Sequence, residues 1–566
     1  MSHHGLLLTD EHLHTLRDAD GKVGESRQRV LSSAEALLGE PVAEPDLDRP
    51  WGPYLSCASE RMGEIQRCSL AYLLTGREEF HERAKATVDA ILAWESWIDP
   101  CHERPQQRFG LMTGIVCQSL AHYLDWCAAA VGEDEFREIA DHHRSKAVEP
   151  LLHDMDIPKR FLRDGINNWV AVMVGGAGLM SLVLMDREPM YEHLLERCVF
   201  HLRRYLTWVN DDGSTDEGGN YWAFGMEHAL PLMEALRINA HRLPGALRWR
   251  SAHELERIPA LAKTAYFPLY CIQGDTYVVN FGDTHLREAS RMEAPLRCLA
   301  ARYQDARIQW LADRLESDSP LALIWHDPEL APNPPTDLQP SRAFHGAGWG
   351  IVRSDLDDPD GFLLAARAGH NAKTHCHRDL GTFILRAGGR GLIVDPGCPQ
   401  YCDDYWIHGA FTYGRETIGH NCVLVDGEGQ SRGEQQRAEI TRLEDLGNRK
   451  YMTVEVRAEE IGLALHRRAF DVLLRETPTV TISDEVRLNR RATITWLLHY
   501  DPEAELDVRE DCIIIRNGPV ALNICAAPSE PVSVRVEAEH EVPFVAIETA
   551  EPLEYATLEL ACTVEV

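Results

Sequence analysis

Five prolines crowd a short polar stretch near the middle of this chain and divide it into two sequence patterns. They are Pro328, Pro332, Pro334, Pro335 and Pro340. Proline lacks a backbone N–H and clashes with the preceding helical turn, so a helix cannot continue through such a stretch. At 566 residues the chain also exceeds what one hydrophobic core usually serves. We therefore predict two domains, residues 1–335 and residues 336–566.

The residues before this boundary show helical periodicity. One apolar run keeps the three- and four-residue spacing of a helix face: Met112, Ile115, Val116, Leu120, Tyr123, Leu124 and Cys127. Similar segments recur at 134–152, 167–186, 187–209, 221–240, 244–263 and 290–316. Many consecutive helices with short polar joins are typical of stacked helical hairpins. The first domain is predicted to be either an α-solenoid or a closed α/α toroid.

The residues after the boundary show short β-rich runs between turn residues. These runs are Thr382–Leu385, Gly391–Val394, Cys422–Val425, Tyr451–Val456, Thr479–Ile482, Ala492–Leu498, Cys512–Ile515 and Ala556–Val566. Strands at this density, without helical periods between them, indicate an antiparallel β-sandwich. The predicted fold class is therefore α+β, with a helical first domain and a β-sandwich second domain.

The charge of the chain excludes some partners. Lys and Arg number 57 and Asp and Glu number 89, so the net charge is 57 − 89 = −32. Such a balance argues against non-specific binding to nucleic acid or to an anionic membrane. No apolar run approaches the roughly 20 residues that a membrane-spanning helix needs.

The N-terminal stretch lacks the charged start and the long apolar core of a signal peptide. The 15 cysteines are odd in number and scattered, which favours reduced, buried thiols over a disulfide framework. These features predict a cytoplasmic protein, or a periplasmic or secreted one if a leader has been trimmed from the sequence.

A cluster of metal-ligand residue types lies in the second domain. His375-Cys376-His377 places two imidazoles two positions apart, and on a strand both would share one face. Asp395 and His420 follow, each at the edge of an apolar run. Imidazole and carboxylate suit Zn²⁺ or Mn²⁺, so His377, Asp395 and His420 are candidate metal ligands. The alternative is chance, since a chain with 26 histidines can contain such a pair without a metal site.

Two stretches of the first domain could also carry chemistry. Asn167-Asn168-Trp169 precedes a long apolar run, where paired asparagines commonly cap a helix. Residues 211–220 are rich in glycine and acidic residues and read as a loop, after which Tyr221 and Trp222 open the next helix. Aromatic residues at such a position are usually core, but a tyrosine beside a glycine-rich loop can also face a cleft.

Taken in order, these motifs resemble the heparinase II/III superfamily of polysaccharide lyases. The likeness joins the Asn pair, the pattern Asp-Gly-Ser…Glu-Gly…Tyr-Trp of 212–222, His375–Asp379, Asp395-Pro396-Gly397 and His420-Asn421. The resemblance implies an α/α toroid joined to an antiparallel β-sandwich, with the substrate cleft between them. It also implies β-elimination at a uronic acid, which leaves an unsaturated sugar.

The resemblance implies a role for each candidate catalytic residue. Asn168 matches the group that neutralises the uronate carboxylate, Tyr221 the catalytic acid or base, and His375 the partner base. A further tyrosine is expected at Tyr405 or Tyr413, and the choice between them stays open. Zn²⁺ is the first candidate for the cofactor and Mn²⁺ the second. The candidate substrate-binding residues are Asn167, Trp169, Trp222, Arg108 and Arg415.

The expected substrate is an anionic polysaccharide or oligosaccharide, with a glycosaminoglycan such as hyaluronan, chondroitin or heparan sulfate placed first. Alginate or another polyuronide is the alternative substrate, and a non-catalytic carbohydrate-binding protein with a structural metal is the alternative function. Trp169 stands where several relatives have a histidine, which favours a site that uses only the asparagines there. Whether the chain forms a homo-oligomer stays open.

Overall fold

A computed structural model describes residues 5–103, 107–156, 167–401 and 412–566. The part before the proline-rich stretch is helical, as predicted. Its helices are α1 Asp10–Asp18, α2 Gly21–Leu37, α3 Pro53–Thr75, α4 Glu78–Leu92, α5 Leu111–Trp126, α6 Glu133–His143, α7 Glu149–Asp156, α8 Asn168–Leu184, α9 Pro189–Leu206, α10 Gly218–Ile238, α11 Gly245–Arg250, α12 Leu261–Thr264, α13 Tyr266–Cys271, α14 Glu293–Tyr303, α15 Ala306–Ala312 and α16 Pro320–Ile324.

The helices close into a ring. Going round it, α3 packs on α5, α5 on α8, α8 on α10, α10 on α14, α14 on α16, and α16 returns to α2 and α3. Close approach within the ring depends on small residues, because a Cβ at Gly176 would lie 1.9 Å from the Gly114 carbonyl oxygen and one at Gly175 would lie 2.2 Å from that of His228. Of the two predicted alternatives, the closed α/α toroid is the one observed.

The second part is built of antiparallel strands. Two short strands, β1 Ile272–Gln273 and β2 Tyr277–Val278, still lie in the helical part. The others are β3 Arg342–Phe344, β4 Trp349–Arg353, β5 Leu363–Arg367, β6 Gly369–His370, β7 Phe383–Ala387, β8 Arg390–Ile393, β9 Val423–Val425, β10 Arg437–Asp445, β11 Arg449–Ala458, β12 Leu463–Leu473, β13 Thr479–Ala492, β14 Ile494–His499, β15 Glu505–Val508, β16 Ile513–Asn517, β17 Val520–Pro528, β18 Val532–Glu537, β19 Phe544–Thr549 and β20 Leu553–Glu565.

These strands form three sheets around one core. The strand orders are β15-β16-β17-β20-β13-β12-β11-β10-β6, β3-β4-β5-β7-β8 and β18-β19-β14-β9. Side chains from all three sheets meet between them, among them Leu364, Phe470 and Trp496. Along the central strand β13, buried and partly exposed residues alternate from Thr479 to Val486, as expected for a strand with one face on a core. The predicted antiparallel β-sandwich is confirmed.

A second, smaller core joins the two parts. Phe267 and Phe281 of the helical part pack against Trp349 of β4, with each ring centroid 5.2 Å from that of the tryptophan. Apolar residues on both sides of the join make up this core, including Val279, Phe344 and Ile351. It holds the segment 272–283, which follows α13, against the five-stranded sheet β3-β4-β5-β7-β8.

The proline-rich stretch lies between the last helix, α16, and the first strand of the sandwich, β3. Because the shared core crosses this join, the division into two domains at residue 335 stays a prediction. Within the described ranges, none of the helices is long and apolar enough to cross a membrane.

Candidate active site

The first wall of the candidate site is made by the starts of two toroid helices. Asn167 caps α8, and its side-chain oxygen accepts a hydrogen bond from the Trp169 N–H at 3.1 Å. Asn168 is fully buried, and it donates from its backbone N and its Nδ2 to the two carboxylate oxygens of Glu217, at 3.0 and 2.9 Å. Glu217 immediately precedes α10. One carboxylate therefore fixes the orientation of the Asn168 amide.

The second wall comes from the loop that contains His375. Its imidazole lies face to face with the Tyr221 ring, with centroids 3.6 Å apart and planes inclined by 14°. The His375 side chain is only 5% exposed, and its Nε2 lies 3.8 Å from Glu217 Oε1. The structure thus brings Asn168, Tyr221 and His375, predicted from distant parts of the sequence, into one site between toroid and sandwich.

A buried carboxylate, Asp283, connects the histidines of this loop. His375 Nδ1 lies 2.7 Å from Asp283 Oδ2, and His377 Nε2 lies 2.9 Å from Oδ1. Burial alone would raise the pKa of Asp283, but the hydrogen bonds and charges of the two histidines outweigh it and lower the pKa well below its usual range. Asp283 is therefore an ionised acceptor.

Tyr401 completes a hydrogen-bonded chain. Its hydroxyl donates to Asp283 Oδ2 at 2.9 Å and lies 2.6 Å from the hydroxyl of Tyr221. Because the Tyr401 proton is directed at the carboxylate, the Tyr221 hydroxyl is the donor in the contact between the two tyrosines. The chain runs from Tyr221 through Tyr401 to Asp283.

The surroundings shift the acidity of two further groups. Burial, and after it the negative charge of Asp283, raise the pKa of Tyr221 well above its ordinary value, so the phenol stays protonated. Burial raises the pKa of Glu217 to about 7, against the lowering effects of His375 and of the hydrogen bonds from Asn168. Both groups can therefore carry a proton near neutral pH.

The three predicted metal ligands converge nearby. His377, Asp395 and His420 are buried, and each offers a donor atom within 4.8 Å of the others. Among the described residues, His377 Nδ1 and His420 Nε2 are buried without a hydrogen-bond partner, while Asp395 Oδ2 lies 2.8 Å from His420 Nδ1. Two unpartnered imidazole nitrogens beside a carboxylate fit a divalent cation such as Zn²⁺. The cluster is a candidate metal site.

The strand geometry predicted for His375 and His377 is not observed. Neither residue lies on a strand: His375 is in a turn and has a left-handed backbone with φ of +57°, and His377 follows it in irregular structure. The two side chains converge because both reach the same carboxylate, Asp283, and not because they alternate on a sheet.

Several predicted site residues lie elsewhere. Trp222 is fully buried in the toroid core and donates its indole N–H to Thr264, so the prediction that it binds substrate is wrong. The Tyr413 hydroxyl donates to the Val542 carbonyl oxygen at 2.7 Å, and its ring stacks on His540, which places it in the sandwich. Tyr405 lies outside the described residues.

The structure shows the exposure and some of the contacts of three other substrate-binding candidates. Arg108 is exposed, and its backbone N–H donates to Asp154. Arg415 is half-buried, and its carbonyl oxygen accepts from the Arg378 N–H. Trp169 is half-buried at the start of α8 with its ring against His102. Their roles in binding stay predictions.

Sequence reasoning missed Asp283 and Tyr401 and assigned no role to Glu217. Glu217 lies inside the motif 212–222, so its position there was a usable signal. Asp283 follows Gly282, whose φ is +65°, after the mostly apolar segment 277–281, and nothing local connects this acid with a histidine 92 positions later. Only the shared core between toroid and sandwich brings them together.

Comparison with known proteins agrees with this architecture. Residues 336–549 match the family model described as Heparinase II/III-like, C-terminal. A stretch of 178 residues is 26% identical to a heparin-sulfate lyase of Bacteroides stercoris, covering 31% of this chain and 25% of that protein. The match thus spans about a quarter of the length of that relative.

Solved structures share the fold over nearly the whole chain. A crystal structure of heparinase III superposes with a TM-score of 0.66 at 15% identity, covering 93% of this chain and 79% of that one. A mutant heparan sulfate lyase from Pedobacter heparinus gives 0.61 at 15% identity, covering 97% and 84%. At such identities the likeness concerns the arrangement of toroid and sandwich.

Proposed function

We propose that this chain, whose residues 336–549 match the Heparinase II/III-like C-terminal family model, is a polysaccharide lyase that cleaves uronic-acid glycans by β-elimination. The observation that supports this best is the meeting of Asn168, Tyr221 and His375 in one site, since elimination needs a charge-neutralising donor, a base and an acid together.

The reaction begins at a poorly acidic proton. The C5 proton of a uronic acid lies next to a carboxylate, and negative charge builds up on that carboxylate as the proton leaves. The Asn168 amide, held by Glu217, is a preorganised donor for this charge. A protonated Glu217 would add a second neutral partner and would avoid repulsion between two carboxylates.

His375 is the proposed base. Asp283 accepts from Nδ1–H, so the lone pair resides on Nε2, the nitrogen directed toward Glu217 and Asn168. Nε2 takes the C5 proton, and the electron pair of the C5–H bond forms the C4–C5 double bond while the C4–O4 bond breaks.

Tyr221 is the proposed acid. Its phenol stays protonated because its pKa is raised, and it can deliver that proton to the departing O4 oxygen. Tyr401 and Asp283 lie behind it in the hydrogen-bonded chain, where they stabilise the orientation of the hydroxyl between turnovers.

Heparan sulfate is the first substrate we propose. The support comes from two similar proteins, a heparin-sulfate lyase and a heparan sulfate lyase. The net charge of −32 opposes long-range attraction of a polyanion, which favours short oligosaccharides over long chains.

His377, Asp395 and His420 would hold the metal in this proposal. A bound Zn²⁺ would supply positive charge beside these three residues and would fix the His377 ring. We expect His377→Ala to lose most bound zinc and to lower the melting temperature, because a ligand and a hydrogen bond to Asp283 both disappear. Metal analysis and thermal unfolding measure the two effects. Unchanged zinc content in this variant would contradict the ligand assignment.

The direct test of the proposed function is ultraviolet absorbance from the conjugated double bond of an unsaturated uronate. Purified protein is incubated separately with heparan sulfate, chondroitin, hyaluronan and alginate, each as chains and as oligosaccharides. We expect a rise with heparan sulfate oligosaccharides. A rise with alginate alone would change the substrate class and keep the reaction. Binding without any rise, in zinc-loaded folded protein, would favour a carbohydrate-binding protein instead.

A further inference from the structure

Asp283 is held at the join between toroid and sandwich by its backbone as well as its side chain. Its N–H donates to the His375 carbonyl oxygen at 3.0 Å. The preceding Gly282 packs so closely that a Cβ there would lie 2.3 Å from the same oxygen. The toroid segment that carries Asp283 is therefore pressed onto the turn that carries His375, and the carboxylate has little freedom to move relative to that turn.

The two oxygens of Asp283 are divided between two histidines with different tasks. Oδ2 is 2.7 Å from His375 Nδ1, and Oδ1 is 2.9 Å from His377 Nε2. A carboxylate accepts hydrogen bonds, so each contacting nitrogen carries the proton. The lone pairs then lie on the opposite nitrogens, Nε2 of His375 and Nδ1 of His377.

One lone pair faces the proposed catalytic residues, and the other faces the candidate metal cluster. His375 Nε2 lies 3.8 Å from Glu217 Oε1, beside the Asn168 amide. His377 Nδ1 is buried, has no hydrogen-bond partner in the part of the chain that the structure describes, and belongs to the candidate metal cluster with Asp395 and His420. In the other tautomer, His375 Nε2 would carry a hydrogen and could not accept the substrate proton. His377 Nδ1 would likewise carry a hydrogen and could not bind a cation.

We propose that Asp283 is a positioning residue that sets the tautomers of His375 and His377 together, and so couples metal binding at one histidine to proton abstraction by the other. The base half of this inference rests on the proposed function, whereas the metal half does not. Asp283 itself touches neither substrate nor metal in this scheme.

The test compares wild-type protein with Asp283→Asn. The amide keeps the size of the side chain, but it removes the negative charge that strengthens both hydrogen bonds and replaces one acceptor with an N–H₂ donor, so the tautomers of both histidines are held less firmly. We expect kcat on heparan sulfate oligosaccharides to fall by about 100-fold or more with KM within about threefold, and the Zn²⁺ dissociation constant to rise by roughly 10- to 100-fold. Zinc affinity is measured by competition with a chromophoric chelator, without substrate.

Asp484→Asn is the matched control for a purely structural effect. Asp484 is likewise a buried carboxylate that contacts a histidine, His466, at 3.2 Å, and it also pairs with Arg468 inside the sandwich. We expect this variant to have a lower melting temperature, with kcat and zinc affinity within about twofold of wild type when it is assayed below its transition.

Loss of both kcat and zinc affinity in Asp283→Asn, beyond that in Asp484→Asn, supports the proposal. Loss of only one of them, or equal losses in the two variants, overturns it. If Asp283→Asn does not fold, Asp283→Glu takes its place, because it keeps the charge while displacing the oxygens by one bond. If wild-type protein forms no unsaturated product, the proposed function fails, and the zinc affinity alone then decides whether Asp283 positions His377.

Discussion

Tyr221→Phe is expected to lower kcat by about 10²- to 10⁴-fold, the range that a positioned acid or base contributes, while the protein stays folded. The change removes one oxygen atom. The ring remains stacked on His375, so packing between toroid and sandwich is retained. What disappears is the proton for O4 and the hydrogen bond to Tyr401. The measurement is the initial rate of ultraviolet absorbance at saturating heparan sulfate oligosaccharide, together with the melting temperature.

Tyr413→Phe is the matched control for that experiment. Its hydroxyl also makes a hydrogen bond, but to the Val542 carbonyl oxygen in the sandwich. We expect it to retain nearly full activity. Full activity in Tyr221→Phe would show that Tyr221 is not the acid, and a large loss in Tyr413→Phe would restore the sequence-based assignment of Tyr413 to the site.

His375→Ala is expected to abolish measurable turnover, because Nε2 of this residue is the proposed base. Bound zinc should stay close to the wild-type amount, since His375 is not among the candidate ligands. This separates it from His377→Ala, in which zinc is expected to be lost. The rate of product formation and the zinc content of the same preparation give both values.

The backbone at residue 375 calls for a second variant. At a φ of +57°, an alanine lowers the free energy of unfolding by about 1–2 kcal/mol relative to glycine, which adopts this conformation without strain. Asparagine adopts the left-handed region more readily, so His375→Asn keeps the turn while removing the imidazole. Activity near wild type in His375→Asn would contradict the assignment of the base. Equal inactivity in both variants, with an unchanged melting temperature for asparagine, would support it.

Most of the fold could be predicted from the sequence, because helices and strands are indicated by local residue patterns. Helical spacing such as that of Met112 to Cys127 and strand runs such as Tyr451–Val456 coincide with α5 and β11. The prolines after 327 lie between the last helix and the first strand of the sandwich. The sequence did not decide between an α-solenoid and a closed toroid. Ring closure depends on contacts of α16 with α2 and α3 across more than 240 positions, and no local pattern predicts such contacts.

The candidate site could be predicted from the sequence only in part, because some of its residues meet through contacts between distant parts of the chain. Asn168, Tyr221 and His375 were found through the resemblance of their motifs to a family, and the structure places them together. The connecting groups were not found. Asp283 and Tyr401 stand in no motif, and their importance arises from contacts over 92 and 180 positions, respectively. Trp222 was misassigned because consecutive side chains on a helix are about 100° apart, so that Tyr221 contacts His375 while Trp222 is buried in the toroid core.

The shared core between toroid and sandwich bears on how chains of this kind can diversify. Recombination at the proline-rich join would interrupt no helix and no strand, since α16 ends before it and β3 begins after it. A crossover there would nevertheless divide the site, leaving Tyr221 and Asp283 in one parent and His375 in the other. The two halves must therefore change together where they meet, as at the contact between Phe281 and Trp349.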